Sequence, residues 1–173
     1  MTIYGVSFDL VGKQPIVLLK TAEGNKFLPI WIGHSEAAAI LMKLQGATAP
    51  RPLTHDLLVN ILGELDVEVM RVTVTELREN TFHASITVQQ NGHELEIDSR
   101  SSDAIAVAVR AHVPIYAADA VIEESAIEFE GEEVNEEEII DEFKSFLDRV
   151  SAEDFAEADV EEGESGESEE EES

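Results

Sequence analysis

Two segments of the sequence place a serine and an acidic residue ahead of alanines and a branched apolar residue. They read Gly33-His34-Ser35-Glu36-Ala37-Ala38-Ala39-Ile40 and Arg100-Ser101-Ser102-Asp103-Ala104-Ile105-Ala106-Val107. If each segment begins a helix, the serine can cap backbone N–H groups and the acid complements the positive helix end, which alone would explain both. Carboxylates that converge from two such segments could instead hold a divalent ion, Mg²⁺ or Mn²⁺, that activates water for phosphodiester cleavage. Glu36 and Asp103 are therefore candidate catalytic and metal-binding residues.

A second segment with suitable chemistry is Arg51-Pro52-Leu53-Thr54-His55-Asp56. Thr54 suits the N-cap of a helix, which would leave His55 and Asp56 in its first turn. Histidine can act as a general acid or base near neutral pH, and arginine can pair with phosphate through two hydrogen bonds. We expect His55 and Asp56 to be catalytic and Arg51 to bind phosphate. Simple capping together with a surface ion pair is the alternative.

The third candidate is Arg100, which lies between the end of an expected strand and an alanine-rich helix. A helix N-terminus attracts anions, so Arg100 is expected to bind phosphate there. A salt bridge from Arg100 to Asp98 or Asp103 would explain the residue equally well. Sequence-local signatures of other enzymes, such as a phosphate-binding Gly-rich loop, Gly-x-Ser-x-Gly or His-Glu-x-x-His, do not occur in the sequence.

The elements that must position these residues come as two similar units. In the first, alternating apolar residues predict strands at about residues 2–11, 16–21 and 26–32, and helix formers predict a helix at 35–45. In the second, strands are expected at 67–77, 81–89 and 93–97, with Asn91-Gly92 as a hairpin turn. An alanine-rich helix at 102–110 follows, and its β-branched residues indicate burial on most sides. Another helix is expected between the units, from Thr54 to Gly63 or Leu65.

This repetition predicts an α+β fold, a two-layer domain with an antiparallel or mixed sheet and duplicated strand-strand-strand-helix units. Residues 114–116 and 126–129 are expected to form short edge strands. Apolar residues at helical spacing predict a C-terminal helix at about 135–150, which would pack on the domain or on a neighbouring subunit. We therefore expect one domain over residues 1–150, with its core in 1–122, and a homo-oligomer. Trp31, in an expected strand, is more typical of the core than of a base-stacking platform.

The acidity of the chain is unevenly distributed. Residues 1–122 carry a formal charge of −5 and residues 123–173 carry −22, which together make the total of −27. Residues 161–173 contain only Glu, Ser and Gly, so the segment 151–173 is expected to be a disordered acidic tail. The excess of acid suits a halophilic source, where salt screens the repulsion between charges; a generic solubilising tail is the alternative.

The composition also excludes several kinds of site. The chain has no cysteine, so disulfides, thiolate metal sites and thiol nucleophiles are impossible. The N-terminus lacks a basic segment followed by a long apolar one, and no apolar run approaches the length of a membrane span. We expect a cytoplasmic protein that is neither exported nor embedded in a membrane.

The candidate segments resemble the bifunctional nuclease family, whose members are described as having both DNase and RNase activity. The matching pieces are Leu28-Pro29-Ile30-Trp31-Ile32-Gly33 with Glu36-Ala37, Arg51-Pro52-Leu53-Thr54-His55-Asp56-Leu57-Leu58, and Ser99-Arg100-Ser101-Ser102-Asp103-Ala104-Ile105-Ala106 through Pro114-Ile115-Tyr116. Their order and spacing make the resemblance specific. The family usually has proline where Ser101 stands, and either residue suits the start of a helix.

The resemblance implies a nuclease whose substrate is DNA or RNA. The charge speaks against tight binding, because nucleic-acid affinity rests largely on cationic contacts and this chain is acidic. The rival hypothesis is a non-catalytic, oligomeric interaction or regulatory module, in which the same motifs serve packing.

Overall fold

The computed structural model describes residues 1–8 and 14–128. Its strands and helices, in chain order, are β1 Thr2–Phe8, β2 Pro15–Lys20, β3 Lys26–Trp31, α1 His34–Leu44, α2 Thr54–Glu64, β4 Glu68–Arg78, β5 Thr81–Gln90, β6 His93–Arg100, α3 Ser101–Ala111, β7 Ile115–Ala117, α4 Asp119–Ser125 and β8 Ile127–Glu128. The predicted α+β fold with two strand-strand-strand-helix units is therefore confirmed.

Residues with positive φ make the tight connections between strands. Asn91 and Gly92 have φ of 52° and 80°, and Glu79 and Asn80 have 49° and 55°. Two successive residues with φ above zero match the twist of antiparallel strands, which is why asparagine and glycine favour such hairpins. The long strands β4, β5 and β6 are thereby held in register, with Ser85 opposite both Thr73 and Asp98.

Each unit supplies three strands of a four-stranded sheet, and the fourth strand of each sheet comes from the segment after α3. The strand orders are β1-β2-β3-β8 and β6-β5-β4-β7; the first sheet is antiparallel, and the second becomes mixed because β7 runs parallel to β4. β7 and β8 lie at sheet edges, as predicted from the sequence. The short helix α4, between these two edge strands, was not predicted.

One apolar core joins both sheets to the helices. Strand residues such as Leu28, Ile30 and Val72 pack with Ile40 of α1 and with the run 104–108 of α3. The predicted burial of α3 on most sides is confirmed, because eight of its 11 residues are buried. Since α3 packs against α1, α2 and three strands of the second sheet, its first turn is fixed relative to the other helices.

Three sequence predictions lie outside the described residues: the end of the first strand beyond residue 8, the helix at 135–150 and the acidic tail at 151–173. In the part of the chain that the structure describes, every helix is too short or too polar to cross a bilayer.

Candidate active site

The first turns of α1 and α3 place two acids around one arginine. Gly33 and Arg100 are the N-cap residues, so Glu36 and Asp103 occupy the same third helical position in the two units. Arg100 Nη2 donates to Glu36 Oε1 over 2.9 Å, and Arg100 Nε donates to Asp103 Oδ2 over 2.7 Å. The convergence considered for the repeated acids is therefore present, and the Arg100–Asp103 salt bridge considered as an alternative for Arg100 forms part of it.

His55 joins this group from the first turn of α2. Its Nε2 lies 3.0 Å from Asp103 Oδ1, across 48 residues of sequence, and its side chain is 12% exposed. An ionised carboxylate only accepts hydrogen bonds, so the Nε2–H donates to Asp103; in the neutral imidazole, Nδ1 then carries the lone pair. Glu36, His55, Arg100 and Asp103 form the candidate active site, and we call these four residues the active-site cluster.

The charges of the cluster stabilise one another. Hydrogen bonding and attraction to Asp103, followed by the hydrogen bond to Glu36, raise the pKa of Arg100 above its ordinary value. Burial pushes the pKa of Asp103 upward, but the hydrogen bonds from Arg100 and His55 outweigh it and leave that pKa below its usual range. Asp103 therefore stays ionised at neutral pH and can orient His55.

Gly33 makes room for one of the carboxylates. Glu36 folds back over its own N-cap, and a Cβ atom at Gly33 would collide with Glu36 Oε2. At the matching position of the second unit stands Arg100, whose side chain extends across to Glu36. The asymmetry between Gly33 and Arg100 thus lets the two acids share one guanidinium.

Asp56 lies next to His55 in sequence but points away from the cluster. Its Oδ2 accepts from the Leu53 N–H at 2.9 Å and its Oδ1 accepts from Arg110 Nε at 2.6 Å. Burial acts to raise the pKa of Asp56. The hydrogen bonds from the Leu53 N–H and the Arg110 guanidinium outweigh burial, so the pKa of Asp56 lies below its ordinary value. Leu53 rather than Thr54 is the N-cap, so the predicted cap by the Thr54 hydroxyl is wrong. Asp56, three residues after Leu53, instead accepts the hydrogen bond from the Leu53 N–H.

Arg110 is an ionic residue that the sequence interpretation missed. Its side chain is 4% exposed, and besides Asp56 it donates to the carbonyls of Ala106 and Ala39. It therefore connects α3 with α1 and α2. A lone arginine in an alanine-rich helix was the available signal, since a buried guanidinium needs a carboxylate partner.

Two clefts include residues of the cluster, and a third cleft adjoins one of them. The central cleft, about 440 Å³, contains Glu36, His55, Arg100 and Asp103. Arg100 also lines the Trp31 cleft, about 260 Å³, which it shares with Trp31, Leu77, Phe82 and Ser102 among others.

Met42 and Leu53 line both the central cleft and the Arg51 cleft, about 270 Å³, where Arg51 lies with Lys43, Asp56 and Arg110. The structure therefore brings Glu36, His55, Arg100 and Asp103 together, and places Arg51 and Asp56 in the neighbouring cleft.

The cluster has oxygen ligands of the kind that Mg²⁺ and Mn²⁺ take, but its carboxylates are already paired. The Arg100 guanidinium binds both Glu36 and Asp103. Within residues 1–8 and 14–128, no three or more His, Asp or Glu side chains are grouped so as to hold a metal ion. The metal-binding role of Glu36 and Asp103 stays a prediction, and it requires Arg100 to move away from them.

Comparison with known proteins adds a family relationship. The sequence profile of the bifunctional nuclease domain matches residues 17–130, a range that includes the whole active-site cluster. An uncharacterized protein of Mycobacterium tuberculosis is 38% identical over 159 residues, which cover 88% of this chain and 95% of that protein.

Plant proteins are more distant relatives. The protein named bifunctional nuclease 1 of Oryza sativa subsp. indica is 27% identical over 103 residues, covering 57% of this chain and 31% of that protein. Bifunctional nuclease 2 of Oryza sativa subsp. japonica is 26% identical over 106 residues, covering 59% and 33%. The similarity thus extends over about a third of each plant protein.

Proposed function

This chain belongs to the bifunctional nuclease domain family, and we propose that it hydrolyses phosphodiester bonds of DNA or RNA at the active-site cluster. One observation carries the proposal: side chains from α1, α2 and α3, distant in sequence, meet as an acid–arginine–acid–histidine group in a cleft. A structural role alone would not require a histidine beside this ion-pair network.

In this proposal Arg100 binds the phosphate that is attacked. Its side chain is 64% exposed although both of its partners are more buried, so the guanidinium can reach a ligand without leaving the cleft. Arginine pairs with phosphate oxygens through parallel hydrogen bonds, and a positive charge there stabilises the negative charge that develops on phosphorus oxygens in the transition state. Glu36 and Asp103 hold Arg100 in place for that contact.

His55 is the proposed general base. Asp103 fixes its orientation through Nε2, so Nδ1 takes a proton from the attacking water while the water oxygen bonds to phosphorus. The bond from phosphorus to the leaving sugar oxygen breaks, and that oxygen takes a proton from solvent. The products are a phosphate monoester and a free hydroxyl.

A divalent ion, Mg²⁺ or Mn²⁺, held by Glu36 and Asp103 would neutralise phosphate charge and activate water. The donor set suits such an ion only once Arg100 has turned from the carboxylates to the phosphate. The roles of Arg100 and His55 described above do not depend on it.

The acidity of the chain opposes nucleic-acid binding at the clefts less than the total charge suggests. Of the eight Lys and Arg residues that the structure describes, four line the three clefts: Lys43, Arg51, Arg100 and Arg110. We propose that Arg51, which is exposed, binds a second phosphate of the same strand in its cleft. Asp56 serves there to hold Arg110 and the start of α2.

The test is cleavage of labelled single- and double-stranded oligonucleotides by the purified chain, with and without Mg²⁺ or Mn²⁺. His55→Ala and Asp103→Asn should each lower the rate by about a hundredfold or more, because each removes proton transfer or its orientation. Glu94→Gln, in the exposed Arg71–Glu94 pair of the second sheet, is a control that also removes one carboxylate charge. Undiminished cleavage by both cluster variants would assign the activity to a contaminant.

The proposed compartment is the cytoplasm, a proposal supported by the absence of cysteine from the sequence.

A second candidate function, an oligomeric interaction module, is favoured by the surface of α2. This helix contains no buried residue, and Leu57, Ile61 and Leu65 are 52%, 45% and 59% exposed. Contiguous exposed apolar side chains often mark protein–protein contacts. The two candidates are compatible, because this face of α2 differs from the side that carries His55 to Asp103.

A further inference from the structure

The Trp31 cleft differs in chemistry from the rest of this acidic molecule. It forms where the end of β3, the turn between β4 and β5, and the start of α3 meet. None of the described residues that line it is acidic, and Arg100 is the one charged residue among them. In a chain with a formal charge of −27, a cleft without a carboxylate is a place where an anionic ligand can approach.

The walls of this cleft are apolar and aromatic, with a few polar side chains between them. Leu77 and Phe82 supply apolar surface together with Trp31, which also packs against the small apolar cluster of Ile16, Leu18 and Phe27. Asn80, Thr81 and Ser102 carry amide and hydroxyl groups. Such a combination is typical of sites for small planar ligands, in which apolar surfaces bind the ring and polar groups select its orientation. Its volume of about 260 Å³ lies close to the lower end of the range for ligand pockets, roughly 300 Å³.

Arg100 connects this cleft to the active-site cluster, because the same side chain lines both. A phosphate bound to Arg100 would therefore have the Trp31 cleft on one side and His55 on the other. In a nucleic acid, the group attached to a phosphate through one sugar is a base. Bases of single strands commonly stack on aromatic side chains, whereas paired bases are not available to a concave site.

We infer that the Trp31 cleft binds an unpaired nucleobase next to the phosphate that is cleaved, which makes single-stranded nucleic acid the preferred substrate. This inference rests on the proposed function for the role of the adjoining phosphate. Base binding itself can be measured without cleavage.

Trp31 provides a direct signal, because it is the only tryptophan of the chain. The full-length protein is titrated with adenosine 5′-monophosphate and, separately, with ribose 5-phosphate, which has the same phosphate but no base. Excitation at the red edge of tryptophan absorption avoids absorption by the nucleotide. The nucleotide should change the Trp31 fluorescence in a saturable way, and ribose 5-phosphate should not.

Phe82→Leu keeps an apolar side chain against the core but removes the ring, and should weaken nucleotide binding roughly tenfold. Tyr116→Leu, which changes an exposed aromatic residue on β7, is the matched control and should bind as the native chain does. An equal response to both ligands, or nucleotide binding unaffected by Phe82→Leu, would overturn the base site.

The outcomes separate this inference from the proposed function. A chain that binds the nucleotide selectively through Phe82 but cleaves no substrate would retain the base site and refute the nuclease proposal. A chain that cleaves through His55 but shows no base-selective response would retain the nuclease proposal and refute the base site.

Discussion

At the scale of single residues, Arg100 gains its position from acids of two different units. Glu36 and Asp103 both pair with it, and Asp103 also holds His55, so one guanidinium and one imidazole are oriented by two carboxylates. Such shared hydrogen bonding fixes side chains more tightly than isolated exposed pairs, which contribute little on their own. In the proposed reaction, the cluster is a preorganised group that contacts the substrate phosphate.

Substitution of Gly33 tests whether the fixed position of Glu36 is needed for cleavage. The backbone at Gly33, with φ of −73°, accepts alanine without strain, but the added Cβ would push the flexible Glu36 carboxylate away. Gly33→Ala should therefore leave the thermal unfolding midpoint nearly unchanged and lower the cleavage rate about tenfold. Gly63→Ala, in α2 with open space around its Cβ position, is the control and should retain full activity. Full activity of Gly33→Ala would show that Glu36 need not be held.

Arg100 also decides how a metal ion would bind. Because its guanidinium pairs with both Glu36 and Asp103, removing that charge should leave the two carboxylates with no cation between them. Arg100→Gln should consequently lose cleavage activity but show a larger rise in unfolding temperature with added Mn²⁺ than the native chain shows. Thermal unfolding with and without Mn²⁺ measures this independently of catalysis. No shift in either protein would refute the metal-binding role of the two acids.

At the scale of elements, α1, α2 and α3 share an acid in the first turn but use it differently. Glu36 and Asp103 face Arg100, whereas Asp56 caps α2 and pairs with the buried Arg110. The position of an acid in a first turn therefore predicts stabilisation of the helix, and its tertiary partner decides any further role.

Asp56→Ala should destabilise the protein, because it leaves the Arg110 guanidinium buried without its carboxylate. The expected loss of unfolding free energy is about 3 kcal/mol near neutral pH. Since the pKa of folded Asp56 lies below the unfolded value of 3.8, its stabilisation is present above that value and disappears as the pH falls through the lowered pKa.

Urea unfolding near neutral pH and in acid measures this difference. Glu64→Ala, at an exposed position on the same helix, is the control and should change stability little. A difference between Asp56→Ala and the native chain that persists undiminished in strong acid would contradict the role assigned to Asp56.

Most elements of the fold could be predicted from local pattern, but their partners could not. The alternation in β4 to β6 and the Asn91-Gly92 turn are local signals, and the structure follows them within a few residues. Helix α4 was missed because seven residues are too few to show a helical period.

For the candidate site too, local pattern predicted some residues, but it did not predict all of their partners. Similar residues in the two units predicted that Glu36 and Asp103 could converge, and both contact Arg100. In contrast, the Asp56 side chain contacts Arg110 because of the way α2 packs against α3, and no local sequence pattern predicts that packing.

The apolar face of α2 supports a prediction about assembly. Ile61→Glu combined with Leu65→Glu should shift the protein toward monomers in sedimentation experiments, because both side chains are about half exposed and lie on one face. Leu95→Glu, which alters a similarly exposed leucine on β6, is the matched control. Sedimentation of the native chain as a monomer even in salt that screens its charge would refute assembly through α2.

At the scale of the whole molecule, most of the negative charge and the proposed binding surface lie in different parts of the sequence. Residues 123–173 carry −22 of the total of −27, whereas half of the described cations line the three clefts. The acidic end would therefore act on nucleic acid mainly through long-range repulsion. The halophilic source expected from composition stays a prediction, but it would make sense of this arrangement, since salt shortens the range of that repulsion.

Deleting residues 161–173 tests this separation, since it removes eight glutamates and no cation. The shortened chain should bind a single-stranded oligonucleotide more tightly than the full chain at low salt, and the two affinities should converge near 1 M salt, where the Debye length is about 3 Å. A full-length variant with the same eight glutamates changed to glutamine controls for length and should match the deletion. Equal affinities at low salt would mean that the acidic end does not oppose binding. A gain that persisted at high salt would instead point to direct competition between the acidic end and the substrate for the clefts.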